Sequence, residues 1–190
     1  MRILPPLHCA TFIGIDAHRN LLRAGRIWRL APDGVVTEWV VDDLLRAFFT
    51  FPDGTVFEFG VNGLTYHGGA LYGALTLDGR IVRIPIGPDG AAGIPEELVE
   101  DISLIGIDGV ELDPVGNIYV TNNFSQTVQR ITKTSLTIET IAENNGGAPL
   151  SSPASLAFSR NHKSRHSRRR ILSLAVRWAP GGHMPGPVDL

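Results

Sequence analysis

The chain has 190 residues and a formal net charge of −2, enough length to bury one real core and too little charge to name a partner. Its single cysteine, Cys9, excludes an intrachain disulfide and a thiolate metal site. No apolar run approaches the roughly 20 residues of a membrane-spanning helix, and the high Gly 21 and Pro 13 predict many tight turns.

Residues 1–24 show no clear period. The opening Met1-Arg2-Ile3-Leu4-Pro5-Pro6-Leu7-His8 is too broken by proline and histidine for a secretory core. A soluble chain is expected, with no membrane partner and no compartment assigned. Gly25-Arg26-Ile27-Trp28-Arg29-Leu30 matches the later Gly79-Arg80-Ile81-Val82-Arg83-Ile84, and each leads into a turn, Pro32-Asp33-Gly34 and Pro88-Asp89-Gly90. Proline presets the first turn dihedral and glycine accepts the left-handed conformation. Residues 25–40 therefore read as the outer half of one blade-like sheet, with Val35 to Val41 as its last strand. Residues 41–60 read as a connection. The phenylalanines there, Phe48, Phe49, Phe51, Phe57 and Phe59, are expected to pack between sheets. The alternative is an aromatic wall facing a substrate.

Two tandem copies follow. The first contains Asn62-Gly63-Leu64, Leu71-Tyr72 and Arg80-Ile81-Val82-Arg83-Ile84; the second contains Asp108-Gly109-Val110, Ile118-Tyr119-Val120 and Val128-Gln129-Arg130-Ile131. Gly63 to Gly109 is 46 positions, while Tyr72 to Tyr119 and Arg83 to Arg130 are each 47. A period of this size, filled with short strands, is the mark of a propeller blade. Strands are predicted near 63–66, 70–75, 80–85 and 97–101, then near 108–112, 117–121, 127–132 and 136–142. The turn Asp113-Pro114-Val115-Gly116-Asn117 suits a hairpin. A third blade begins at Pro153-Ala154-Ser155-Leu156-Ala157-Phe158, where Leu156 lies 46 positions after Val110.

After Phe158 the pattern fails. Residues 162–170 hold Lys163, Arg165, Arg168, Arg169 and Arg170 with no acid; without those five charges the net charge of −2 becomes −7. The run has no interleaved aromatics and no nucleic-acid module around it, so a solvated tail is expected and no nucleic-acid partner. Ile171 to Trp178 could pair as a strand. The expected division is 1–24 irregular, 25–158 partial propeller and 159–190 a basic, Gly/Pro-containing tail of doubtful origin. The expected fold is an all-β propeller of four-stranded antiparallel blades, incomplete, with about three blades of a six-bladed type. A closed ring needs at least four blades. The chain is thus expected to be a fragment or to carry ends from a disturbed reading frame, with open blade edges available for self-association.

Over residues 25–158 the sequence resembles the six-bladed propellers of the senescence-marker-protein, gluconolactonase and luciferin-regenerating-enzyme group. The resemblance rests on Val61-Asn62-Gly63-Leu64, Gly79-Arg80-Ile81-Val82-Arg83-Ile84, Ile107-Asp108-Gly109-Val110 and Gly116-Asn117-Ile118-Tyr119-Val120. NHL-repeat and strictosidine-synthase-like propellers share the blade pattern. The resemblance implies that Asn62 and Asp108 are ligands of one divalent cation, Ca²⁺ or Zn²⁺, in a central tunnel. It also implies that Asp108 acts as a general base on a small lactone or ester. An amide carbonyl and a carboxylate suit a hard cation, and a bound cation polarises a carbonyl or activates water.

The sequence departs from that pattern in two places. The first-blade glutamate has no counterpart, since Glu58 does not match the motif, and the basic run replaces the glycine-rich continuation. The expected function is a lactonase-like, metal-dependent hydrolase. The alternative is a non-catalytic binding scaffold, or a fragment without independent activity. Asn122 and Asn123 follow a strand and are either plain loop residues or tunnel-mouth residues. His67 adjoins a Gly68-Gly69 turn and is not nominated. Ser151, Ser152 and Ser155 lack His and Asp partners in any triad spacing.

Overall fold

The computed structural model describes residues 11–13, 25–144, 150, 152–159 and 170–174. The expectations for residues 1–10, 14–24, 160–169 and 175–190 lie outside the described residues.

Strands β1 (Thr11–Ile13), β2 (Arg26–Leu30) and β3 (Val36–Val41) form one sheet, and β4 (Ala47–Thr50) pairs with β5 (Val56–Phe59). Next come β6 (Leu64–His67), β7 (Ala70–Leu75), β8 (Arg80–Pro85) and β9 (Glu96–Glu100), which form a four-stranded sheet. A second such sheet holds β10 (Ile107–Leu112), β11 (Ile118–Asn122), β12 (Thr127–Ile131) and β13 (Ile138–Glu143). Finally β14 (Ser155–Ser159) pairs with β15 (Arg170–Leu174). Every pairing is antiparallel and each sheet is ordered as its strands occur in the chain. The protein is an all-β arc of propeller blades. Among the described residues no helix is long and apolar enough to cross a membrane.

The repeat predicted the two complete blades to within two residues at each strand end. It did so because a blade between two neighbours buries both faces. Along β7 and β8, Ala74 and Ile81 face one core, with Leu104, Ile107, Val110, Ile118, Val120 and Ile131. Leu71, Leu75, Val82 and Ile84 face the other, with Ile27, Leu45, Ala47 and Val61. Such strands read as near-continuous apolar runs rather than as a strict apolar–polar alternation. Burying each large side chain contributes about 1.5–3 kcal/mol against the chain entropy. A smaller contact, with Tyr119 edge-on to Phe158 at 5.1 Å and Leu156 buried beside them, joins the second blade to β14.

The turns follow their sequences closely. In Pro32-Asp33-Gly34 and Pro88-Asp89-Gly90 the aspartate Oδ1 accepts from the backbone N–H two residues on, Val35 and Ala91, both at 3.0 Å. Pro52-Asp53-Gly54 repeats the device, with Thr55 N donating to Asp53 at 2.9 Å. The third, fourth-position glycine of each turn takes a left-handed φ of 85°, 84° and 81° in chain order. Cross-strand ion pairs recur on the blade exteriors, Arg83 with Glu96 at 3.0 Å and Arg130 with Glu139 at 2.5 Å, at blade-equivalent positions.

The outermost strands β3 and β9 each run into an aspartate-capped 3-10 turn. Asp42 caps Asp43–Leu45, accepting from Leu44 N at 2.9 Å, and Asp101 caps Ile102–Leu104, accepting from Ser103 N at 2.8 Å. From Asp101 the chain reaches Asp108 in seven residues; from Asp42 it needs 20 to reach Asn62. The excess of 13 is the length of the Ala47–Phe59 hairpin.

This hairpin corrects the sequence reading of residues 41–60 as a plain connection. Its phenylalanines do not pack between blades: Phe48, Phe49, Phe51 and Phe57 are 54%, 48%, 44% and 40% exposed. A two-stranded ribbon has no opposing sheet to bury its side chains. Aromatic content alone did not reveal that.

Candidate functional site

Antiparallel succession sorts the loops onto two rims. Inner strands β6 and β10 begin on one rim, and β7, β9, β11 and β13 end there. Asn62 and Asp108 stand on that rim, at the starts of neighbouring inner strands.

Both lie in β-bulges. Asn62 N donates to Ala74 O and Ala74 N donates to Gly63 O, both at 2.9 Å, so two residues oppose one. In the next blade the pairing slips between Ile107 and Val110. There Gly109 N turns to the Thr121 hydroxyl at 2.9 Å. A bulge re-aims the side chain that precedes it. The glycine is required by a close approach. A Cβ on Gly63 would stand 2.1 Å from the Asp108 carbonyl oxygen, and one on Gly109 would stand 2.9 Å from that of Ala154. Each inner strand therefore sits directly on the next, and positions 62, 108 and 154 are equivalent. One pitch further along, Thr65 Oγ1 donates to Glu111 Oε1 at 3.1 Å between the same two strands.

The two candidate side chains are held alike. Asn62 Nδ2 donates to Thr76 Oγ1 at 3.2 Å, and Asn123 Nδ2 donates to Asp108 Oδ2 at 2.7 Å. Thr76 and Asn123 occupy matching positions just beyond β7 and β11. Asn62 Oδ1 and Asp108 Oδ1 accept no hydrogen bond among the described residues. Burial of the Asp108 carboxyl raises its pKa above the ordinary aspartate value, and the bond from Asn123 opposes part of that rise.

Asn122 and Asn123, left open between loop and tunnel mouth, separate cleanly. Asn122 is fully buried. Its Nδ2 donates to Ile105 O at 3.0 Å, and its Oδ1 accepts from Phe124 N at 3.1 Å and Ser125 N at 3.0 Å. It ties the β11–β12 turn to the 3-10 turn and is structural. Asn123 instead orients Asp108. Sequence reading missed that role and the role of Thr76, although both pairs repeat at the blade offset and were findable on that signal. Glu58 lies on the hairpin, 3.7 Å from Arg46, away from Asn62's partners. His67 ends β6 at the opposite rim, edge-on to Tyr72.

The oxygen donors fit a hard cation in kind. Among the described residues no group of three or more His, Cys, Asp and Glu could hold a metal. The chain contributes an amide oxygen and a carboxylate oxygen, and the third equivalent position, Ala154, contributes none.

No protein-family model matches the chain, and no curated protein matches it. Solved structures do. A streptogramin B lyase is 16% identical with a TM-score of 0.47, over 80% of this chain and 56% of its own. The virginiamycin B lyase of Staphylococcus aureus is 17% identical with a TM-score of 0.43, over 81% and 57%. A luciferin-regenerating enzyme is 15% identical with a TM-score of 0.49, over 90% and 55%. The likeness is one of fold alone. The chain spans less than two thirds of the length of each of these three proteins.

Proposed function

We propose that the chain carries the site of a divalent-cation-dependent hydrolase acting on a small lactone or ester. The observation that carries this reading is the paired bulge. Two neighbouring inner strands in close backbone approach each present a side-chain oxygen without a hydrogen-bond donor among the described residues, one amide and one carboxylate. Asn62 and Asp108 would hold the ion, Ca²⁺ or Zn²⁺. Such an ion, when bound, polarises a carbonyl oxygen or acidifies a water.

The remaining work belongs to the chain. Thr76 takes the Asn62 amide nitrogen and so leaves the amide oxygen for the ion. Asn123 orients the Asp108 carboxylate through Oδ2, so that Oδ1 would meet the ion and the second lone pair of Oδ2 would remain to take a proton from an attacking water. Burial raises the Asp108 pKa in the ion-free protein, and a bound cation would oppose that rise.

Calorimetric titration with Ca²⁺ and Zn²⁺ tests the reading. Wild-type protein is expected to bind one ion, and Asp108→Ala to lose at least about 1.4 kcal/mol, tenfold in Kd. Hydrolysis of an aldonolactone should fall with the same substitution. Absence of ion binding by the folded wild-type protein would defeat it. A second reading, a non-catalytic binding scaffold, is favoured by Ala154, which leaves the third equivalent position without a ligand. Folded protein that binds neither ion and cleaves no lactone supports that reading.

A further inference from the structure

The 13 residues inserted before Asn62 rise from the rim that carries Asn62 and Asp108, because an outer-to-inner connection can only lie there. The insertion has two unlike faces. Paired residues in a ribbon share a face, and alternate residues along a strand do too. Ala47 opposite Phe59, and Phe49 opposite Phe57, therefore lie on one face, joined by Phe51. The rings pair along it, Phe49 with Phe51 at 4.9 Å and Phe57 with Phe59 at 5.8 Å. The other face carries Phe48, Glu58, Thr50 and Val56.

The four-phenylalanine face is turned toward the body at its root. Ala47 is fully buried in the core formed with Ile27 and Val61, and Phe59 beside it is half-buried. Further out, Phe49, Phe57 and Phe51 are all exposed. The same rim carries the exposed Phe124, in the turn immediately after the Asp108 partner Asn123. Of the six large aromatics exposed among the described residues, only Tyr66 lies toward the opposite rim. Exposed aromatics are thus concentrated on the rim of the candidate site, four of them on the one connection that the blade repeat does not require.

We propose that the β4–β5 hairpin is an aromatic flap that receives the apolar part of the substrate, so that the site takes lactones or esters bearing an alkyl or aryl tail. The proposal rests on the hydrolase reading for the identity of the ring. The tail contact itself depends only on the phenylalanines. Paired rings, Phe49 edge-on to Phe51 and Phe57 tilted against Phe59, offer an apolar surface at little entropic cost.

The test uses two six-membered lactams, which mimic the lactone without being cleaved, one plain and one bearing a ten-carbon alkyl chain. Calorimetry on the full chain is expected to show the tailed lactam binding at least roughly tenfold tighter. That preference should vanish in Phe49→Ser/Phe57→Ser and fall in Phe51→Ser near the tip, and it should persist in Asp108→Ala. The substituted side chains are exposed, and unchanged circular dichroism verifies that the variants fold. Equal or undetectable binding of both lactams by wild-type protein overturns the proposal. So does a preference that survives the double substitution, or a self-associated wild type that the double substitution renders monomeric, since a second copy would then be covering the flap. Tail preference without lactone hydrolysis leaves the flap standing and sinks the hydrolase. Hydrolysis without tail preference does the reverse.

Discussion

Asp108 is the residue where stability and chemistry pull apart. Its folded-state pKa is raised by burial, so the folded protein holds the proton more tightly than the unfolded chain does. The sign follows from linkage. Stability is highest below the ordinary aspartate pKa and falls as pH rises through that value toward the folded one. Above that window the ionised carboxylate is a burden to the fold. Asp108→Asn removes it while keeping an acceptor oxygen. Thermal unfolding of Asp108→Asn should show a gain at pH 7, below about 1 kcal/mol given the carboxyl's partial exposure, and none at pH 3. A loss at pH 7 would mean that the charge is already compensated. Asn122 has no such duality. Alanine there would remove the side-chain partner of the Ile105 carbonyl and of the Phe124 and Ser125 amides, and urea unfolding should register about 1–3 kcal/mol lost. The sequence set these adjacent asparagines side by side without distinguishing them. Only the end of β11 does so, since the last strand residue points into the blade and the next points along the rim.

At the scale of the element, the informative unit is the Asx-Gly bulge. Asparagine or aspartate before glycine is legible in sequence, and its recurrence at 46 positions is what marks the blades. The reason for the glycine is not legible there. Its dihedral freedom is incidental, since what matters is the carbonyl of the next blade where a side chain would begin. Gly63→Ala must push β6 and β10 apart against well-packed interiors. A loss of about 2 kcal/mol or more is expected in urea unfolding. A neutral result would show that the two strands are not in contact. The hairpin β4–β5 was hidden for the opposite reason. Five phenylalanines in 12 residues look like core, and only the Pro52-Asp53-Gly54 turn, identical in type to those at Pro32 and Pro88, could have announced two short strands there.

For the molecule as a whole, repetition made the fold readable. Two copies in register gave the strand order, the sheet size and the blade boundaries, because each blade solves the same packing problem against its neighbour. Where the copies cease to match, reading weakened. The unmatched 13 residues before Asn62 were misread. The stretch after Phe158 offered only a strand over Ile171 to Trp178, without a partner; Arg170–Leu174 pairs with Ser155–Ser159. The candidate site was half legible: Asn62 and Asp108 stood out as a periodic pair, whereas Thr76 and Asn123, which hold them from matching positions, differ in residue type and were passed over.

Gly63 seats against the carbonyl of an aspartate and Gly109 against that of an alanine, so the backbone joint forms whichever side chain the next position carries. Mechanical continuity from wedge to wedge is thereby divorced from what each wedge displays at the axis. A lineage can erase or install a polar group at residue 154 without disturbing the joint that Gly109 makes. Architecture of this kind tolerates the decay of an old chemistry, or the trial of a new one, at almost no cost to the scaffold that bears it.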